Sequence, residues 1–282
     1  LFTCGSLCAD EPMTYWDYHP LRLGGNLIHI GKADVDGPGD GNLYFRKSNI
    51  YTTILIPVSQ SSYFFPRVEW NTVTLDWNNN PKFNQTHYNY VQFGLTFYST
   101  AIEQWRWILR FDYNIDAKHF SQPGPYGLAS GLVWGAYHIH RKWHYHVGAM
   151  AYRGLEGESL FPIIGLDFAP NQKWLFEAIF PIAYSIQYKL NPDWRFSLKG
   201  RPLKERLRTG KDEPQPMSVF SYSTIGTELN VHFEKWRRIE IEVYAGYNFG
   251  GDFYIKSEGG HRPLYTTLDG APYFGATLDF GF

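Results

Sequence analysis

The stretch "WRRIEIEVYAGYNFGG", Trp236–Gly251, decides the fold. Taken alternately, it separates into two sets. Arg237, Ile239, Ile241, Val243, Ala245, Tyr247 and Phe249 form one, apolar after its opening arginine. Trp236, Arg238, Glu240, Glu242, Tyr244, Gly246 and Asn248 form the other, which is largely charged or polar. Successive side chains of a β-strand point to opposite faces, so a period of two describes a strand with one greasy side and one polar side.

The separation recurs along the chain. In 103–116, Trp105, Trp107, Leu109, Phe111 and Tyr113 oppose Gln104, Arg106, Arg110, Asp112 and Asn114, with Ile108 the exception. In 184–190, Tyr184, Ile186, Tyr188 and Leu190 oppose Ser185, Gln187 and Lys189. In 218–233, Val219, Ile225, Leu229, Val231 and Phe233 oppose Glu228, Asn230 and His232. In 271–282, Phe274, Ala276, Leu278, Phe280 and Phe282 oppose Tyr273, Gly275, Thr277, Asp279 and Gly281. No run of ten residues has convincing helical spacing. "PLKERLRTGKDEP", 202–214, is charged and bounded by prolines, and reads as a long loop.

The connections have their own order. Short links fall at 58–62, 100–102, 141–142, 169–171, 191–192 and 234–235. Between them lie mostly longer ones at 33–41, 78–86, 117–125, 154–159, 203–217 and 258–270, rich in Gly, Pro, Asn and Asp, with "FPIA" at 180–183 the short exception. One end of the strands is trimmed and the other carries loops. No fixed sequence period marks a propeller or a solenoid.

A soluble sandwich also alternates. Three features favour a closed barrel that is apolar outside. Trp105, Trp107, Trp174, Trp194 and Tyr247 sit near strand ends, where interfacial girdles use such rings. The links have a long end and a short end. The chain closes on an alternating strand, "YFGATLDFGF". The expectation is an all-β, single antiparallel up-and-down transmembrane barrel of about 14 strands, with 12–16 compatible. Hydrocarbon offers no hydrogen bonds, so a membrane-crossing sheet must close on itself.

Composition agrees. The chain has 282 residues, 19% of them charged and 18% aromatic, and a net charge of −1, which gives no field to recruit nucleic acid. Segments 119–140, 48–66 and 83–102 lack charge over helix-spanning lengths, but prolines or interleaved polar residues break each one. Cys4 and Cys8 are too few for a metal centre. "LFTCGSLCADEP" resembles the end of a secretory signal. The expected organisation is an N-terminal segment over 1–22, with a signal remnant at 1–9 and then a periplasmic or plug stretch ("DEPMTYWDYHPLRL", 10–23), followed by the barrel over 23–282.

Residues 160–201 carry Pro162, Gly165, Leu166, Pro170, Asn171, Trp174, Phe180, Pro181, Tyr188, Leu190, Asn191, Trp194 and Arg195. In this order they resemble a family of uncharacterised bacterial outer-membrane β-barrel proteins. The resemblance continues weakly through "YAGYNFGGDFYI" to the last strand and covers roughly the C-terminal half. It implies membership and transfers no catalytic residue. It implies placement in the bacterial outer membrane, contact with the bilayer and lipopolysaccharide, and recognition by the outer-membrane assembly machinery through the strand ending at Phe282.

Inside such a barrel the expected lining is Arg106, Arg110, Asp112, Glu177, Lys189, Arg195, Lys199, Glu228, Arg238, Glu240, Glu242 and Asp279, of both signs and so able to pair across strands. Tyr88, Tyr90, Tyr98 and Tyr244 fall on the inner parity and fill space. "HIHRKWHYH" holds His138, His140, His144 and His146. A two-residue turn at 141–142 pairs 140 with 143 and sends the two histidine pairs to opposite faces, whereas a three-residue turn gathers all four into a site suited to zinc or copper. Ser218, Ser221, Ser223, Asn230 and His232 share one strand, but Ser221 and Ser223 lie on the face opposite His232, and Ser218 is far along it, which argues against a triad. No nucleotide-binding or metalloprotease motif is present, and no cofactor is expected. The leading functional expectation is a small pore or transport channel for small polar solutes. The alternatives are an enzyme acting on lipid or lipopolysaccharide, and a structural or adhesive barrel whose loops 78–86, 203–217 and 258–270 meet a partner.

Overall fold

A computed structural model of the chain describes residues 20–36, 41–78, 83–140, 142–155, 157–235, 238–256 and 264–282. Residues 1–19, with both cysteines and most of the expected plug, lie outside the described residues, as do Trp236 and Arg237.

The strands are β1 Leu21–Asp36, β2 Gly41–Ile54, β3 Ile56–Ser59, β4 Ser62–Trp77, β5 His87–Ser99, β6 Trp105–Asp116, β7 Gly127–His140, β8 Trp143–Gly154, β9 Gly157–Asn171, β10 Trp174–Phe180, β11 Ala183–Lys189, β12 Trp194–Arg208, β13 Val219–Lys235, β14 Ile239–Lys256, β15 Leu264–Leu268 and β16 Ala271–Gly281. β3 continues β2 beyond Leu55, and β15 continues into β16, so the sixteen segments make fourteen wall strands. Each pairs antiparallel with its neighbours, and β1 closes the ring on β16, from Arg22↔Gly281 to Ile30↔Tyr273. A one-turn helix, α1 Pro123–Tyr126, lies between β6 and β7.

The opening stretch behaves as its alternation requires. Ile241, Val243, Tyr247 and Phe249 are exposed on the outer face of β14, whereas Tyr244 and Asn248 are buried inside. Leu229, Ile225, Leu198, Ile186, Ile164, Val147, Phe111, Leu95, Trp70, Ile50, Phe274 and Leu278 extend this exposed apolar surface around the ring. Apolar area far beyond the few hundred Å² a soluble monomer tolerates is what a lipid-facing barrel presents. At the short-link end the rings meet in cross-strand pairs: Trp105 with Tyr137 (5.0 Å), Trp143 with Phe168 (4.2 Å), Trp174 with Tyr188 (4.8 Å) and Trp194 with Phe233 (4.7 Å). This is an interfacial girdle.

Bulges reset the phase where the sequence slips. In β14 the register shifts opposite Thr224–Gly226, and Gly250 takes φ +94°, which favours glycine. Beyond it Phe253 and Ile255 turn inward. A shift between Ile30 and Ala33 does the same in β1 and buries Ala33 and Val35.

Several expected boundaries move. The connection placed over 203–217 is shorter, because β12 pairs with β13 as far as Arg208↔Val219. Its charge misled: Leu203 and Glu205 are buried, and 202–206 alternates like the rest of the strand. The link placed at 154–159 shrinks to 155–156 because β8 and β9 pair through to Gly154↔Gly157. Part of 258–270 is β15. β1 begins at Leu21, inside the segment expected to precede the barrel. Val219, expected outside, is 3% exposed.

Candidate functional site: a crowded lumen

The inward side chains form three zones. Towards the short-link end the lumen is ionic. Arg22 reaches Glu240 at 2.7 Å, and His232 Nε2 donates to the same carboxylate at 2.8 Å. Arg195 donates to His232 Nδ1 at 3.2 Å. Tyr51 donates to Asp279. Lys199 pairs with Glu242 at 2.9 Å, and Asn230 donates to that carboxylate. Arg201 forks onto Glu228, with Nη2–Oε1 at 2.7 Å, and stacks 4.3 Å from the Tyr244 ring centroid. Glu177 accepts from Ser185 and Gln187. Buried ions persist only when partnered and hydrogen-bonded, and these are interlocked.

The expected lining residues are distributed as follows. Arg106, Asp112, Glu228 and Asp279 are buried inside, and Arg110, Arg195, Lys199, Glu240 and Glu242 are partly buried. Arg110 pairs with Asp112 at 2.7 Å. Lys189 stands exposed at the lower rim of β11. Arg238 lies in the turn before β14, exposed, rather than on an inward strand position. The sequence reading missed Arg22, Lys47, Glu69, Arg201 and Glu205, which make ion pairs, and Asp167, which hydrogen-bonds to a histidine.

The histidines gather more closely than a two-residue turn predicts. His140 pairs with Trp143, but a bulge at Ile139 then sets His138 opposite His144. His138 and His144 rings lie 4.3 Å apart, and Arg106 donates to His138 at 2.8 Å. His146 accepts from Trp134 Nε1 at 3.0 Å, so its other nitrogen carries the proton and donates to Asp167 at 2.8 Å. Among the described residues no group of three or more His, Cys, Asp or Glu is arranged to hold a metal ion.

Towards the long-link end, on the side of β1, β2, β4, β5, β13 and β14, the lumen is filled by an apolar core. Phe45 stacks on Tyr222 at 4.7 Å, Trp77 meets Phe253 at 5.3 Å, and Phe83 folds in from the 78–86 connection onto Phe220 at 5.5 Å. Tyr88, Tyr90 and Tyr244 belong to this core, and Tyr98 to a smaller one with Leu55 and Phe65. On the opposite side, Leu132, Trp134, Met150, Ile163 and Ile179 form an apolar septum at mid-height, joined by Ile108, the exception in the β6 alternation.

Above the septum lies a cavity of about 140 Å³, bounded by Tyr90, Asp112, Tyr126, Tyr152, Lys204 and Arg206 among others. Lys47 and Glu205 seal one wall at 2.5 Å, and Tyr90 donates to Glu205 at 3.3 Å. The serine arrangement does not assemble: His232 is held by Arg195 and Glu240, and among the described residues no serine hydroxyl hydrogen-bonds to it.

A closed fourteen-strand ring, greasy outside and ion-paired within, has the architecture of outer-membrane barrels. The match to the family described as "Domain of unknown function (DUF6268)" runs over residues 72–281, and the chain belongs to that family. A protein of Chlamydia trachomatis serovar D is 19% identical over 300 residues, covering 100% of this chain and 94% of the relative. One of Chlamydia pneumoniae is 24% identical over 196 residues, covering 69% and 61%. Both relatives are described as uncharacterised. Among solved structures, the COG4313 outer membrane channel from Pseudomonas putida F1 superposes with a TM-score of 0.52 at 9% identity, covering 96% of this chain and 99% of that one. At that identity the likeness is one of fold.

Proposed function

We propose that the protein is an outer-membrane channel of narrow bore for small polar solutes, rather than a porin with an open aqueous lumen. One observation carries this reading: opposite walls touch. Lys47 and Tyr90 on one side meet Glu205 on another, and an apolar core fills much of the upper lumen. What remains on the β6–β9 side is two separate spaces, a small one beside Arg106, His144 and His146 and the larger upper cavity, with the septum between them. Crossing it requires septum side chains to move, so passage is restricted to small solutes. Reconstitution in planar bilayers tests this. Discrete conductance steps well below those of a sixteen-strand porin are expected. Silence across independent preparations, or porin-sized steps, would overturn it.

A further inference from the structure

The wall is incomplete at one place. β10 and β11 have seven residues each, whereas β9 and β12 on either side have fifteen. β10 pairs with β9 no higher than Phe180↔Ile164, and β11 with β12 no higher than Tyr184↔Gly200. Above the 181–182 turn, residues 157–163 of β9 and 201–208 of β12 therefore lack a ladder partner on the sides that face each other. Pro162 and Pro202, which have no N–H to leave unpaired, stand on those edges.

Among the described residues, side chains and no backbone ladder cross the gap. The Arg206 guanidinium occupies the space a side chain at Gly157 would take, and Lys204 Nζ lies 5.9 Å from the Phe161 ring centroid. Neither cation has a carboxylate partner among the described residues. By contrast, Arg22, Lys47, Arg106, Arg110, Arg195, Lys199 and Arg201 are each tied to an acid or a histidine. The same two side chains bound the 140 Å³ cavity, which is walled further in by Tyr126, Leu128, Tyr152 and Leu155. The gap also straddles the edge of the apolar belt. Exposed Ile225 pairs with Pro202, but the next outward pairs are Ser223 with Lys204 and Ser221 with Arg206.

We infer that this gap and the cavity behind it form a binding site for a small monocarboxylate with an aromatic or short acyl body. The carboxylate bridges Lys204 and Arg206, and the apolar part enters the cavity. The volume sets the size, since a cavity of about 150 Å³ holds a benzene ring. The acid-free cations set the charge, because a guanidinium beside an ammonium is a carboxylate site. The lining is mixed: its carboxylates are already engaged, Glu205 by Lys47, Asp112 by Arg110 and Asp116 by His119, and the apolar surface left by the tyrosines and leucines fits a body no larger than one ring.

The site stands whether or not the barrel conducts, and its test is separate. Full-length protein in lipid nanodiscs is titrated with benzoate, benzyl alcohol and inorganic phosphate by calorimetry, beside Lys204→Gln/Arg206→Gln and Gly157→Leu, with heat-modifiable migration confirming that each variant is folded. Saturable benzoate binding is expected, at least tenfold weaker in the double variant and weakened by Gly157→Leu, which fills the gap. Benzyl alcohol and phosphate should bind at least tenfold more weakly than benzoate. Absence of benzoate binding, undiminished binding in the folded double variant, or phosphate binding as well as benzoate would overturn the proposal. Conductance of the same preparations reports on the channel independently.

Discussion

Lys47 of β2 and Glu205 of β12 meet at 2.5 Å, although their strands are not neighbours in the ring. The contact crosses the lumen and couples two walls that the backbone ladder leaves independent. Both groups are almost wholly buried, with side-chain exposures of 9% and 7%, and Tyr90 supplies a further donor to Glu205.

Breaking one side of this bridge should be costlier than removing both. Lys47→Met leaves a buried carboxylate uncompensated, a loss of about 3–5 kcal/mol. Lys47→Met/Glu205→Leu should recover most of it. Urea unfolding in liposomes, run as a double-mutant cycle, measures the difference. Additive losses would mean that the pair is not coupled across the lumen.

The septum should limit passage. Met150→Ala and Ile163→Ala remove side chains from the cluster at mid-height, where Ile163 is 0% exposed. Each should destabilise the barrel by about 2–5 kcal/mol. Each should also raise single-channel conductance, because the proposed conduit crosses this cluster. Loss of stability without a conductance change would place the route elsewhere.

The Gly250 bulge should be indispensable. Deleting this residue reverses the faces of 251–256, which sends Phe253 and Ile255 outward and Asp252 and Tyr254 into the aromatic core. The expected result is loss of the compact, heat-modifiable band. Gly250→Ala keeps the count and should cost only about 1–3 kcal/mol of backbone strain, with steric adjustment against the Leu268 carbonyl in addition.

Much of this barrel is legible in the sequence because lipid enforces the alternation pair by pair. The outward Ile241/Val243 row and the girdle tryptophans follow from a period of two and from position along the strand. Even the Ile108 exception marked something real, an inward apolar residue at the septum. The lumen is a different matter. The partners of Glu205 come from β2 and β5, distant in sequence and in the ring, and no local pattern encodes which walls touch. Charge density made 203–208 look like a loop because a buried ion pair and a solvated surface share the same residue types. The His138–His144 approach depends on a one-residue bulge, and such a bulge inverts any facing argument built on strict alternation.

The outer row should tolerate no charge. Val243→Arg, at an outward position with 47% exposure, should cost about 2–4 kcal/mol if that depth lies near the bilayer centre. Folding titrations in phosphatidylcholine vesicles read the loss directly. A neutral effect would mean that this face does not meet hydrocarbon.

Sidedness itself is measured most directly by placing an environment-sensitive fluorophore on single cysteines at 239 to 244, one at a time, in a Cys4→Ser/Cys8→Ser background, and reconstituting each protein in brominated-lipid vesicles. Quenching should alternate, strong at 239, 241 and 243 and weak at 240, 242 and 244. Uniform quenching, or strong quenching at 240 and 242, would contradict a barrel whose Glu240 and Glu242 face an enclosed interior.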